Sequence, residues 1–108
     1  MAEGVIDKYR AVARVKGREL LFRHRDALNV LNDLEGSGAV ILGMSFFKDQ
    51  EEHVIEMIGN DADYSSLSNH PDAAARTLNE AKQLLSDRLP DGADWVSLNV
   101  MEPTHDLD

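Results

Sequence analysis

The chain has 108 residues, a hydrophobic fraction of 43% and a formal net charge of −9. One domain with one core is the default at this length, and the composition is that of a globular protein rather than a disordered one. The absence of cysteine excludes disulfide frameworks, thiolate zinc sites and thiol nucleophiles.

Charge is distributed unevenly along the chain. Residues 1–25 hold seven of the eleven Lys and Arg residues and three of the twenty Asp and Glu residues, a net charge of +4. Residues 26–108 hold the other four basic and seventeen acidic residues, a net charge of −13. Such a field repels nucleic acid and anionic membranes and attracts a basic partner. We therefore expect neither a nucleic acid nor a membrane as partner.

The apolar segments are too short for a membrane anchor. The longest, residues 39–47, has about half of the ~18 residues that a spanning helix needs, and the N-terminus lacks the sustained apolar region of a secretory signal. These features, together with the lack of cysteine, predict a cytoplasmic protein.

The N-terminal half of the chain predicts two strands, a helix and a hairpin. Apolar and basic residues alternate over residues 9–15, which favours a half-buried strand, and Gly17 allows a turn into a short strand over 18–22. Helical spacing of apolar residues follows Asp26 and stops before Gly36, whose backbone freedom suits a helix end. The apolar run 39–47 predicts a central strand, joined by a short polar connection to an antiparallel strand over 53–58.

The C-terminal half predicts a second helix and a last strand. Residues 59–69 are rich in Asn, Asp, Ser and Gly, which is typical of a loop. An apolar stripe at helical spacing then continues to about Leu89, and alternation over 95–101 favours a final strand. We predict a single α+β domain over residues 1–108, with an antiparallel or mixed sheet of three to four strands, two helices on one face and a mobile tail at 103–108.

No pattern for catalysis or metal binding stands out. The four histidines are 29, 17 and 35 residues apart, which fits none of the spacings that place two ligands on one helical face. Asp61 and Asp63 are two residues apart, like the carboxylate ligands of a calcium-binding loop, but the glycine and the glutamate that such a loop requires are missing. We therefore expect no cofactor, no metal and no enzymatic activity.

Acidic and aromatic residues around the predicted hairpin are the best candidates for a protein-binding site. Acids there would steer a basic protein, and a large aromatic side chain would anchor it, because rim charges set mainly the association rate and buried anchors the residence time. The candidate partner-binding residues are Phe47, Asp49, Glu51, Glu52, Asp61, Asp63 and Tyr64.

The sequence is compatible with two other classes of function. One is a small enzyme or ligand-binding domain with a pocket between sheet and helices, in which His53 and Glu56 form the acid/base pair. The other is an adaptor subunit that self-associates through an exposed strand edge. We expect a monomer or a weak homodimer.

Several segments resemble a known group of proteins. The matching parts are Asp26-Ala27-Leu28 with Leu31 and Leu34, the strand that begins Ala39-Val40-Ile41-Leu42-Gly43, and residues 75–85 and 95–100. Over about residues 20–101 the chain is similar to small cytoplasmic immunity proteins of bacterial polymorphic-toxin systems, in particular a family with an Ile-Leu-Gly-Gly-Asp strand. This chain has Met44-Ser45 in place of the second glycine and the aspartate. The resemblance implies stoichiometric binding to a cognate toxin domain, for which a basic nuclease is one option, without turnover.

Overall fold

The computed structural model describes residues 5–17, 19–57, 61–67, 69–87, 89–90 and 92–101. Within these ranges it contains three α-helices, two short 3-10 helices and an antiparallel, nearly barrel-like sheet of six strands. The helices and strands in chain order are α1 (Val5–Lys8), β1 (Arg14–Lys16), β2 (Glu19–Phe22), α2 (His24–Leu34), β3 (Val40–Gln50), β4 (His53–Glu56), β5 (Ala62–Asp63), α3 (Ala73–Leu84) and β6 (Trp95–Met101). The 3-10 helices span Arg10–Val12 and Ser65–Leu67.

Strand β3 is the centre of the sheet, whose order is β1-β2-β6-β3-β4. Strand β5 also pairs with β3, at Gly43 and Met44. Because β6 pairs with these two residues on one side, β5 lies on the other side, beside β4. Strands β4 and β5 therefore form one edge of the sheet, and β1 forms the opposite edge.

The two long helices cover one face of the sheet. Apolar residues of α2 at helical spacing and the apolar stripe of α3 pack against alternate residues of β3 and β6. This main core includes Val30, Leu31, Met44, Phe46 and Val96, each no more than 2% exposed. The α+β class and the placement of both long helices on one face are confirmed.

The opposite face of the sheet carries a second, smaller cluster. This minor core consists of Leu21, Phe47, Val54 and Trp95, and none of its members comes from a helix. Phe46 and Phe47 are neighbours on β3, so they point to opposite faces, and both are fully buried. The curl of the sheet thus gives β3 a buried environment on both sides.

A buried threonine ties α3 to an irregularity in the sheet. The register between β3 and β6 shifts between Ile41 and Gly43. The Thr77 hydroxyl accepts a hydrogen bond from the Ile41 N–H at 2.9 Å and donates one to the Ala73 carbonyl at 2.7 Å. A buried amide without such a partner would be costly, so Thr77 stabilises the bulge.

The predicted count of three to four strands is wrong, since the described residues form six. One strand that the sequence does not predict is β5, which has two residues and lies inside the predicted loop. The N-terminal segment also differs from the predicted strand over residues 9–15. There Val5, Ile6, Tyr9 and Ala13 recur at helical rather than alternating spacing and pack against the main core. This segment therefore forms α1 and a 3-10 helix, and only Arg14–Lys16 is a strand. The expected tail at 103–108 lies outside the described residues.

Among the described residues, no helix is long and apolar enough to cross a membrane. The longest of them, α3, has 12 residues.

Candidate functional site

Exposed carboxylates line the edge formed by β4 and β5. Strand β4 follows the hairpin tip, and β5 continues along the same side of β3. We name this row the acidic edge, and its members are Glu51, Glu52, Glu56, Asp61 and Asp63. Lys48 is the only lysine or arginine between residues 47 and 67. The acidic edge is therefore a source of strong negative potential.

The carboxylates of the acidic edge are not neutralised by ion pairs within the part of the chain that the structure describes. The ion pairs found there join Arg10 to Asp7, Lys82 to Glu35, and two arginines to Asp49. Asp63 instead accepts hydrogen bonds from the hydroxyl and the backbone N–H of Ser65, which hold its pKa below the usual range. Asp63 thus stays ionised at neutral pH and remains available to an external cation.

Asp49, by contrast, belongs to a structural cluster. Its Oδ1 accepts a hydrogen bond from Trp95 Nε1 at 2.8 Å and from Arg14 Nη1 at 3.3 Å, and its Oδ2 lies 3.7 Å from Arg23 Nη2. The Arg23 guanidinium stacks on the Trp95 ring, 3.8 Å from the centroid. We name these four residues the Arg–Trp–Asp cluster.

The Arg–Trp–Asp cluster brings two guanidinium groups to Asp49, and the Asp94 carboxylate lies next to them, where it accepts a hydrogen bond from the Asp49 N–H at 2.8 Å. The side chains of the cluster cover the minor core, and Arg14 Nη2 also reaches the Glu52 carbonyl at 3.5 Å. Arg14 thereby links β1 to the β3–β4 hairpin across the open side of the curled sheet. The two arginines of the cluster compensate the charge of Asp49, and its role in steering a partner stays a prediction.

The two predicted aromatic anchors lie in different environments. Phe47 is in register with Trp95 inside the minor core and is fully buried, so a partner cannot contact its side chain in this conformation. Tyr64 is half-buried against the main core, and its N–H donates to the Leu42 carbonyl at 2.9 Å. Burial, and secondarily the charge of Glu80, raise the pKa of Tyr64. Of the two, only Tyr64 has surface left for an interface.

The hairpin tip is strained at one of the predicted residues. Glu51 has φ of 57°, and it is the one non-glycine residue with positive φ among those that the structure describes. The first position of a two-residue hairpin turn favours glycine for this reason. A left-handed conformation costs a residue with a side chain about 1–2 kcal/mol. A glutamate at this position therefore lowers the free energy of unfolding.

Replacing Glu51 by glycine should raise the free energy of unfolding by about 0.5–1 kcal/mol, because relief of the left-handed strain exceeds the entropic cost of glycine. Urea unfolding followed by Trp95 fluorescence measures the change. Glu52→Gly is the matched control, since it removes the same charge at a neighbour without positive φ, and it should not stabilise. Equal effects of the two variants would show that repulsion between carboxylates, not backbone strain, is relieved.

The residues of the enzyme alternative are not brought together. His53 and Glu56 are three residues apart on β4, so their side chains point to opposite faces of the strand. A cavity of about 340 Å³ does lie between the end of α2 and α3, with Leu34 and Leu78 in its wall. Its charged groups, Glu35 and Lys82, bind each other at 2.6 Å, and this contact lowers the pKa of Glu35. No group of three or more potential metal ligands occurs within the described ranges.

Comparison with known proteins provides no identification. No family model, no curated protein and no solved structure matches this chain.

Proposed function

We propose that this protein is a stoichiometric inhibitor that binds another protein through its acidic edge. The observation that carries the proposal is a row of five exposed carboxylates along one edge of the sheet, which form no ion pair within the described residues and are accompanied by a single lysine. The contact residues are the acidic edge and Tyr64. Phe47 is fully buried and supports this surface from behind, and Asp49 is held beside it by two arginines.

Electrostatics favours a basic protein as the partner. Complementary charge raises association rate constants from a basal ~10⁵–10⁶ M⁻¹s⁻¹ towards ~10⁸ M⁻¹s⁻¹ or more at low salt. Exposed carboxylates contribute less to the lifetime of the complex, because water and salt screen them. Fast capture of a partner suits an inhibitor that must act before its target does.

Within this class, we propose an immunity protein that acts in the bacterial cytoplasm and neutralises a cognate toxin, for which a basic nuclease is one option. The support is the resemblance of residues 20–101 to immunity proteins, together with the sign of the acidic edge. The inhibitor would mask the toxin by binding and would make or break no covalent bond.

Affinity capture with the tagged chain from the cells that encode it tests this function. The expected result is a basic protein bound in a 1:1 complex, which arrests growth when expressed alone and is tolerated when co-expressed with this chain. A captured protein whose toxicity is unchanged by co-expression would contradict the inhibitor role.

A further inference from the structure

The acidic edge has backbone groups that no strand of the described sheet uses. At the inner end of β4, the Met57 N–H donates to the Phe46 carbonyl at 2.7 Å, and Gln50 pairs with His53 next to the tip. Hydrogen-bonded residues alternate in an antiparallel ladder, so the N–H and C=O groups of Val54 and Glu56 point away from β3. Strand β4 ends the sheet on this side. Val54 and Glu56 can therefore accept an added strand.

Side chains on the two faces of β4 specify which strand would fit. Glu56 lies on the same face as Val54 and the minor core, and the carboxylates of Glu51 and Glu52 follow at the tip. Ile55 lies on the opposite face and is 40% exposed, which is high for a large apolar side chain. A strand beside β4 would meet the Glu56 carboxylate on one face and, on the other, the exposed Ile55 side chain, which lies opposite Lys48 of β3.

We propose that the partner binds by adding an extended segment to β4, in which basic and apolar side chains alternate. This inference rests on the proposed function and identifies how its site is used. Main-chain hydrogen bonds to Val54 and Glu56 hold the segment, and alternate side chains provide specificity. A lysine or arginine of the segment contacts Glu56, and an apolar side chain packs against Ile55.

A partner of opposite charge fits this edge better than a second copy of the chain. Antiparallel pairing of β4 with β4 of another copy would bring the two Glu56 carboxylates onto the same face of a short ladder, and like charges there are destabilising. The sequence Arg14-Val15-Lys16 of β1 has the required alternation, but Arg14 is already bound to Asp49. Each copy also carries a net charge of −9, so two copies repel each other electrostatically.

The test uses a fluorescein-labelled peptide of four Lys-Val repeats. Its control has the same composition, with the four lysines in one block and the four valines in another. At low salt the alternating peptide should bind about tenfold more tightly than the block peptide, since only the alternating one places all lysines on a single face. Hydrogen exchange of the wild-type complex should show new protection of the Val54 and Glu56 amides.

Two variants at one position separate backbone pairing from charge. Glu56→Pro removes the outward N–H and the carboxylate, and proline is tolerated at an edge position whose N–H faces solvent. Glu56→Gln removes the carboxylate alone. The proline variant should lose about tenfold in affinity for the alternating peptide and the glutamine variant no more than about threefold, since a hydrogen bond outweighs one screened ion pair.

Other outcomes would overturn strand addition. Equal affinity for the two peptides, or an equal loss of affinity in the two variants, would show that the acidic edge binds by charge without strand pairing. The proposed function would stand in that case. Self-association of the wild-type chain through β4, detected by sedimentation and by the same amide protection without peptide, would make a second copy the occupant. If circular dichroism shows that Glu56→Pro is unfolded, amide protection in the wild-type complex becomes the test of strand addition. Unprotected Val54 and Glu56 amides in that complex would refute the proposal.

Discussion

Replacing Phe47 by alanine should lower the free energy of unfolding by about 3–4 kcal/mol, the range for loss of a buried phenylalanine. The side chain is fully buried and fills the minor core between Leu21, Val54 and Trp95. None of the described helices contributes to this cluster, so no helix could shift to fill the cavity that the substitution leaves. Since domains of this size are stable by only ~5–15 kcal/mol, the loss would be a large fraction of the total.

Urea unfolding followed by fluorescence measures this change, because Trp95 is the only tryptophan and lies in register with Phe47. Val12→Ala is the matched control: Val12 is 51% exposed, so its truncation should change stability by no more than about 0.5 kcal/mol. A Phe47→Ala protein as stable as wild type would mean that Phe47 is a surface anchor, as the sequence first suggested, and not part of the minor core.

Replacing Gly43 by alanine should destabilise the protein by about 2–3 kcal/mol and detach β5 from β3. A Cβ atom at residue 43 would lie 2.6 Å from the Ala62 carbonyl oxygen. Because that oxygen belongs to the backbone, the strand itself would have to move, and overpacking of this kind costs ~1–3 kcal/mol. The displaced strand carries Asp63 and precedes Tyr64, so part of the acidic edge would move with it.

Two measurements follow the Gly43 substitution. The melting temperature should fall by roughly 10 °C, as expected for this loss in a domain of about 100 residues, and the Tyr64 amide should exchange faster because its bond to the Leu42 carbonyl is lost. Ser45→Ala, two residues along β3, is the matched control because it adds no atom. An unchanged Tyr64 amide in Gly43→Ala would show that β5 adapts without leaving the sheet.

The sequence predicts the regular elements of this fold well and the irregular ones poorly. Strand β3 is recognisable because a continuous apolar run requires burial on both faces, and α2 because its apolar residues recur at helical spacing. Strand β5 is not recognisable, because two residues have no periodicity. Its one signal is Gly43 itself, since a glycine inside a strand often marks a close backbone approach.

The sequence predicts the charge of the candidate site but not the spatial arrangement of its residues. Four of the five predicted acids, Glu51, Glu52, Asp61 and Asp63, lie along the acidic edge. The sequence does not predict Glu56, the fifth member, as a contact residue, since its place at the edge depends on the strand order. Asp49 has the same charge as the others, but distant residues of β1 and β6 bind it.

The most direct measurement of the central claim is the rate at which the captured partner associates with two variants that lose equal charge at different places. One is Glu51→Gln/Glu52→Gln at the hairpin tip, and the other is Asp26→Asn/Asp87→Asn, at the start of α2 and just after α3. The account predicts that the tip variant associates about tenfold more slowly at low salt, that the other variant stays within about twofold of wild type, and that the difference disappears near 1 M salt. Equal rates for the two variants would contradict it.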